Sequence, residues 1–423
     1  MAKVEVEPEL KKRYKEEIDE MIKIELENMK LLSGVKQKKK KKGKKKAKKK
    51  KKGKGLKLPG YKLIKNKLVP DLLVELIQNN IVKKLPAQNL TDFMGEFNYI
   101  HSMLDNLKEP IYDPSMALIR QLVVEYIIFP LGSELVRSRM REKCTSYLFY
   151  GPPGTGKTLV VRACITETNS VLFDLSPMSI EDKYCQEKDQ EKALVASTFV
   201  VAKHYQPSII YIDECEKTWP AKAKKKKGKK KKKAKNSDGK NPARIKKPLA
   251  KWKKSAKFID DKTRITIIGC TSYPEEGSKK DFKKFFDKQI YFPFPDYTTR
   301  RLMWTNFIER FRGRLKQDFP LSTLAHISAG YSAGSIKKTC EKVLTVHRVD
   351  HQDSRPLSIQ EFIGPLSQCE NTMNDQYEGY QAFTDWVTGQ KAVREKMMKD
   401  DDEEGGDKKD KKGKGGGKKK GKK

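Results

Sequence analysis

Two short runs in this sequence combine residue types and spacing that can do chemistry. Residues 151–158 read Gly151, Pro152, Pro153, Gly154, Thr155, Gly156, Lys157 and Thr158, matching the pattern GxxxxGK followed by Ser or Thr. Glycines there let backbone amides curl around a β-phosphate. Lys157 can reach β- and γ-phosphate oxygens, and the Thr158 hydroxyl can ligate Mg2+. Further along, IIYIDE at 209–214 ends an apolar stretch in two acids. Asp213 can hold the metal, usually through water, and Glu214 can orient and deprotonate an attacking water. Each run has a bland alternative, a chance match or a strand with a solvated acidic end. The two together, each at the end of a β-rich run, favour a phosphate site. No NKxD follows the loop to read guanine, and no HRD or DFG set is present, which disfavours GTPase and kinase chemistry.

The elements that must position these residues are readable from periodicity. Tyr147–Tyr150, Val171–Leu175, Ile209–Ile212, Ile265–Ile268 and Gln289–Phe292 are short β-rich runs. Helical stretches between the first three predict parallel strands with helical crossovers. After Pro295 the pattern turns helical, near Thr298–Phe311, Leu321–Ala329, Ser335–His351 and Ser358–Leu366. The expected fold class is therefore α/β, a parallel sheet flanked by helices plus an all-helical lid. Asp113 before Pro114 predicts the start of a helix running to Pro130. Upstream, segments at 68–82 and 90–107 look helical between prolines, and residues 8–32 carry an apolar stripe at spacings of three and four.

These readings divide the chain into an amphipathic helix at 1–35, a Lys-rich tract at 36–55 and a helical N-terminal segment at 56–112. The α/β core at 113–296 follows, with a Lys-rich insertion at about 221–248. A helical lid at 297–368, a C-terminal helical segment at 369–399 and an acidic, then Lys-rich, tail at 400–423 complete the chain.

The formal charge of +37 suggests a nucleic-acid binder until the lysines are located. Residues 36–54 hold 15 Lys in 19 positions, residues 222–235 hold 11 in 14, and residues 407–423 hold 10 against two Asp. Those tracts leave only +3 to the other 373 residues, so the folded part is near neutral and the basic character belongs to appendages expected to be disordered. None of the tracts holds an arginine or an aromatic ring, so they can supply only sequence-blind attraction to a polyanion. Sequence-specific nucleic-acid recognition is disfavoured. No apolar run approaches the roughly 20 residues of a membrane span, and the charged N-terminus has no signal-sequence core. Seven scattered cysteines without CxxC spacing argue against a disulfide framework or a zinc site. His347 and His351 lie four apart, but no third ligand accompanies them.

With GPPGTGKT and IIYIDE in place, the stretch from about Asp113 to Leu366 resembles the AAA family of ATPases, which implies ATP and Mg2+ as ligands. The segment at 176–208 is similar to the one carrying that family's first pore loop. Lys183 and Tyr184 match it, while Gln186 stands where glycine is usual. ITIIGCTSYP at 265–274 resembles the sensor-1 strand, with Ser272 in place of the usual Asn. In DFKKFFDKQIYFPFPD at 281–296, Phe282 and Phe285 occupy the positions where the family presents arginines to a neighbouring subunit's nucleotide, and Lys283 and Lys284 lack the rigid guanidinium fork. An arginine finger is worth roughly 10³ to 10⁵ in rate. The lysine insertion after IIYIDE would add strong like-charge repulsion to a threading pore.

These departures, with the upstream segment at 58–100, resemble the IQ-and-AAA-domain-containing branch, which belongs to the nexin–dynein regulatory complex of motile cilia. No IQxxxRGxxxR pattern occurs, so calmodulin binding is not implied. The resemblance implies an ATP-binding structural or regulatory subunit of the cytoplasmic, cytoskeletal axoneme. Its partners would be other complex subunits and microtubule doublets, reached through acidic tubulin tails. Two rivals remain at this level: an active, oligomeric ATPase that remodels protein or microtubules, and a nuclear or RNA-associated binding protein using its lysine tracts.

Overall fold

The computed structural model describes residues 58–97, 113–184, 189–221, 241–255, 260, 262–369 and 374–389, together with Met21. The expected N-terminal amphipathic helix, apart from Met21, lies outside the described residues. So do the three lysine tracts, the acidic run at 400–404, and Cys185 and Gln186 of the pore-loop resemblance.

Five strands form one sheet: β1 (Ser146–Tyr150), β2 (Val171–Asp174), β3 (Ser208–Ile212), β4 (Ile265–Thr271) and β5 (Lys288–Tyr291). Their order is β2-β3-β4-β1-β5 and every pairing is parallel, with Tyr150 opposite Thr271 and Ile212 opposite Gly269. Both faces of such a sheet must be covered, which explains why β1, β3 and β4 are buried at every residue. Side chains alternate between two cores. Leu148, Tyr150, Ile210, Ile212 and Ile267 enter one, and Tyr147, Phe149, Ile209, Tyr211 and Cys270 enter the other.

The longer helices are α1 (Val69–Gln78), α2 (Met116–Val123), α3 (Lys157–Thr168), α4 (Gln190–His204), α5 (Lys246–Lys253), α6 (Lys279–Phe285), α7 (Tyr297–Arg310), α8 (Leu321–Ile327), α9 (Ala333–Val343), α10 (Ile359–Ser367) and α11 (Asn374–Thr388). Helices α2 and α3 cover one face of the sheet, while α1, α4, α5 and α6 cover the other. The lid helices α7 to α10 share a separate core around Trp304, Ile308, Ile336 and Phe362. Asp296 starts α7 by accepting the Thr299 amide, Ser332 caps α9, and Ser358 with Glu361 forms a capping box on α10.

Four expectations change. The helix predicted from Asp113 begins at Met116, capped by Ser115, and loosens into a π turn over Val124–Ile128. Asp113 instead accepts the Tyr377 hydroxyl of α11 at 2.9 Å, and burial raises its carboxyl despite that bond. Of the helix expected over 90–107, Leu90–Asp92 is a 3-10 turn and residues 93–97 are not helical, while residues 98–107 lie outside the described residues. The N-terminal segment, which reads from its sequence as a small helical subdomain, is an integral flank of the core: Val82 bridges Phe173 and Lys83 pairs with Asp174 at 2.5 Å. Finally, the end of the expected insertion, from Arg244, packs into the core with the helix α5 that follows it. Ile245, Leu249 and Trp252 are fully buried, and the Trp252 indole donates to the Pro59 carbonyl at 2.9 Å.

Candidate functional site

Because every strand runs the same way, the C-terminal ends of β1, β3 and β4 share one edge, and the loops leaving them gather there. From β1 the chain enters Gly151–Gly156 and then α3. Gly151, Gly154 and Gly156 have φ of 149°, 80° and 95°, a region that side-chain-bearing residues avoid. A Cβ would also collide. At Gly151 it would meet the Phe292 carbonyl at 2.2 Å, and at Gly154 the Ser332 Oγ at 2.4 Å. Thr155 closes the loop by donating to the Pro152 carbonyl at 2.9 Å. The first amides of α3, as at any helix N-terminus, have no intrahelical carbonyl to bond and make a ready anion site.

Lys157 is 7% exposed, and its Nζ donates to the carbonyls of Gly151 and Pro152 at 2.8 and 2.7 Å. Burial pulls the amine down to about 8, against the opposing influence of Cys270, Asp213 and Glu216. Thr158, next along α3, is exposed. From β3, Asp213 follows Ile212, and its amide donates to Ser176 Oγ at 2.9 Å. Its own Oδ1 accepts the Glu214 amide at 2.9 Å. Glu214 sits at φ 45° with its side chain 39% exposed and pairs with Lys217 at 2.8 Å. The cradle residues, Lys157, Thr158 and the two acids are thus brought to one edge.

Ser272 follows β4 at the same edge, and its carbonyl accepts the Tyr380 hydroxyl at 2.6 Å. The residue at the end of β4 that touches the acidic segment is Thr271, whose hydroxyl donates to Glu216 Oε2 at 2.5 Å. Burial raises the Glu216 carboxyl, more than the Thr271 bond lowers it. Sequence reasoning missed Glu216, although DECE carries it two residues past Glu214. It also missed Tyr211, whose buried hydroxyl has no hydrogen-bond partner among the described residues and lies beside Thr158 and Cys270. The lid reaches this edge as well, since the Gly334 amide donates to the Gly154 carbonyl at 3.0 Å. GYSAGSI was the available signal.

The two positions expected to present arginine are turned inward. Phe282 is 0% and Phe285 4% exposed, packed with Trp219, Phe286 and Phe383. Of the pore-loop match, Lys183 Nζ donates to the Asn79 carbonyl at 2.6 Å, and the Tyr184 hydroxyl accepts from Asn79 Nδ2 at 3.1 Å. Arg244 ties down the same loop through the carbonyls of Ile180 and Lys183. His347 and His351 stack with ring centroids 4.4 Å apart, and no cluster of three or more His, Cys, Asp or Glu residues that could hold a metal ion occurs among the described residues. Six described cysteines are free thiols. No helix among the described residues is long and apolar enough to cross a membrane.

The donor set fits a nucleotide's phosphates and a hard cation. The loop has room only for hydrogen at its glycines, a buried amine stands at its centre, and hydroxyl and carboxylate oxygens sit at its rim. Comparison with known proteins agrees. Residues 147–294 match the profile of the ATPase family associated with various cellular activities (AAA). The chain is 31% identical over 333 residues to mouse (Mus musculus) dynein regulatory complex protein 11, covering 77% of this chain and 36% of that protein. It is 25% identical over 321 residues to spastin of Ixodes scapularis, covering 73% of this chain and 44% of that one. It therefore spans less than half the length of either relative. Among solved structures, the FIGL-1 AAA domain in complex with ADP superposes with a TM-score of 0.53 at 19% identity, over 75% of this chain and 97% of that one, a likeness of fold. With the parallel sheet, the glycine cradle at its edge and these matches in hand, residues 147–294 are an AAA domain, in a chain whose similarity extends to dynein regulatory complex protein 11.

Proposed function

We propose that this chain binds ATP with Mg2+ and works as a structural or regulatory component of the ciliary or flagellar axoneme, with slow ATP hydrolysis. Gly151 to Thr158 would hold the phosphates, with Lys157 leaving the loop carbonyls for the phosphate oxygens. Thr158 and Asp213 would hold Mg2+, which supplies charge neutralisation at those oxygens. Glu214 would orient and deprotonate water, and Ser272 would take the sensor-1 position. The Lys217 partner of Glu214 is no obstacle, because an exposed pair of this kind is worth about 1 kcal/mol at most.

The observation that carries the slow-turnover reading is the burial of Phe282 and Phe285 in an aromatic cluster. A site with an assembled cradle and acids but no arginine to stabilise transferred charge forfeits roughly 10³-fold or more in rate. Similarity to dynein regulatory complex protein 11 supports the axonemal placement and partners among regulatory-complex subunits; the lysine tracts would reach the acidic tails of microtubule doublets. Similarity to spastin favours a second reading, an active oligomeric ATPase that remodels protein or microtubules. Tyr184 and Lys183, held against Asn79, count against a polypeptide-gripping loop.

The test is quantitative. Purified protein is expected to bind ATP·Mg2+ by calorimetry while turning over slowly at every protein concentration, and the tagged chain is expected on axonemes of a ciliated cell. Rapid, concentration-dependent hydrolysis abolished by Glu214→Gln would establish the second reading instead.

A further inference from the structure

Helices α5 and α6 line a groove of about 780 Å3 whose apolar lining includes Leu58, Ala250 and Phe285. Six lysines also line it. Lys246 is neutralised by Asp281 at 2.7 Å, and Lys253 by Asp287 at 2.6 Å. Lys247, Lys251, Lys254 and Lys284 are exposed and have no ion-pair partner among the described residues. Four unpaired like charges around one apolar hollow repel each other, and an apolar lining adds a cost of exposure. An occupant that relieves both must carry several acids next to apolar side chains.

The chain itself contains such a segment. Residues 397–404 read Met397, Met398, Lys399, Asp400, Asp401, Asp402, Glu403 and Glu404, two adaptable apolar side chains followed by a net charge of −4 over Lys399 to Glu404. That charge matches the four unpaired lysines. The end of the described chain is also well placed. Trp386 of α11 lies under the Lys283 ammonium, 5.6 Å from ring centroid to Nζ, and the next residue, Lys284, lines the groove. From Gly389 to Met397 is eight residues, a reach of up to about 28 Å when extended. We propose that the lysine groove between α5 and α6 is the docking site for this chain's own segment 397–404, with the methionines in the apolar hollow and the acids on the four lysines.

The experiment is zero-length carbodiimide crosslinking of the full chain, using an equal mixture of 15N-labelled and unlabelled protein, with mass-spectrometric mapping. Links from Asp400–Glu404 to Lys247, Lys251, Lys254 or Lys284 within isotopically pure pairs are expected. A variant with Asp400→Asn, Asp401→Asn, Asp402→Asn, Glu403→Gln and Glu404→Gln should show at least about twofold faster acetylation of those lysines, as expected when exposed ion-pair contacts are lost. Links to none of the four lysines, links of which half are mixed as random pairing between copies requires, or unchanged acetylation would each overturn the proposal. Mixed-isotope links would assign the groove to a second copy.

Discussion

The Tyr184 hydroxyl accepts a hydrogen bond from the side-chain amide of Asn79, 3.1 Å away and 105 positions earlier in the chain. The ring itself packs against the core that α1 shares with the sheet. A residue whose motif resembles a pore-loop aromatic is thereby made part of the N-terminal flank. Tyr184→Ala is expected to destabilise the protein by roughly 1–3 kcal/mol, and Asn79→Ala by about 1 kcal/mol, because each removes packing or a hydrogen-bond partner from a half-buried site. Urea unfolding checks this. An unshifted midpoint for Tyr184→Ala would mean that the side chain is free of the core.

Phe285 lies 4.8 Å from Trp219, ring centroid to ring centroid, and 5.0 Å from Phe286. Restoring an arginine here should therefore fail as a repair. Phe285→Arg would bury a guanidinium among aromatic rings, at an expected cost of several kcal/mol. The expected outcome is a large fall in melting temperature with no rise in ATP turnover per folded molecule. A stable variant that hydrolyses ATP faster would show that the position can reach a neighbour's nucleotide.

The strands were legible in the sequence because each holds a short β-branched or aromatic run, with β1, β3 and β4 buried throughout, and even the half-buried edge strand Lys288–Tyr291 was placed to within a residue. The cradle was legible because glycine at φ 80° and 95° leaves a mark in composition. What was not legible depends on distant partners. Nothing local marks Asp113 as the acceptor for Tyr377, 264 residues away, so its proline neighbour read as a helix start. Residues 241–248 follow a lysine tract and look like its continuation, yet Arg244 and Ile245 among them are buried by long-range packing. Glu216 could have been noticed, but its bond to Thr271 requires β3 and β4 to be known neighbours.

Lys157 yields a prediction with a defined sign. Its folded-state value of about 8 lies below the ordinary 10.5, so the protonated amine is disfavoured in the folded state. That penalty is fully present below pH 8 and relieved as pH rises from 8 toward 10.5, amounting to a few kcal/mol at most. Lys157→Met should consequently be no less stable than the parent at pH 7, and the parent's stability relative to the variant should rise with pH across that window. The variant should also bind ATP·Mg2+ at least about tenfold more weakly, since a buried cation no longer faces the phosphates. Denaturation at several pH values and calorimetry measure the two effects separately. A variant that loses stability at pH 7 would contradict the first.

Ser176 joins the N-terminal flank to the candidate metal site. Its hydroxyl donates to Asp174 Oδ1 and accepts the Asp213 amide, while Asp174 also accepts from Ser179 and from Lys83. Burial works against the Asp174 carboxylate, but Lys83, Ser176 and Ser179 outweigh it and hold its pKa below the usual 3.8. The stabilisation is therefore complete above pH 3.8 and is lost as pH falls below it. Asp174→Asn should flatten the acid limb of the stability profile. Ser176→Ala should do something more specific, because it leaves the Asp213 amide without its acceptor where β3 meets the acidic pair. Weaker ATP·Mg2+ binding by about three- to tenfold is expected, together with a loss of roughly 1–2 kcal/mol in stability. Ser176→Thr, which keeps the hydroxyl, should recover much of the affinity. If Ala and Thr at this position weaken binding equally, the hydroxyl has no part in placing Asp213, and the flank and the site are coupled by packing alone.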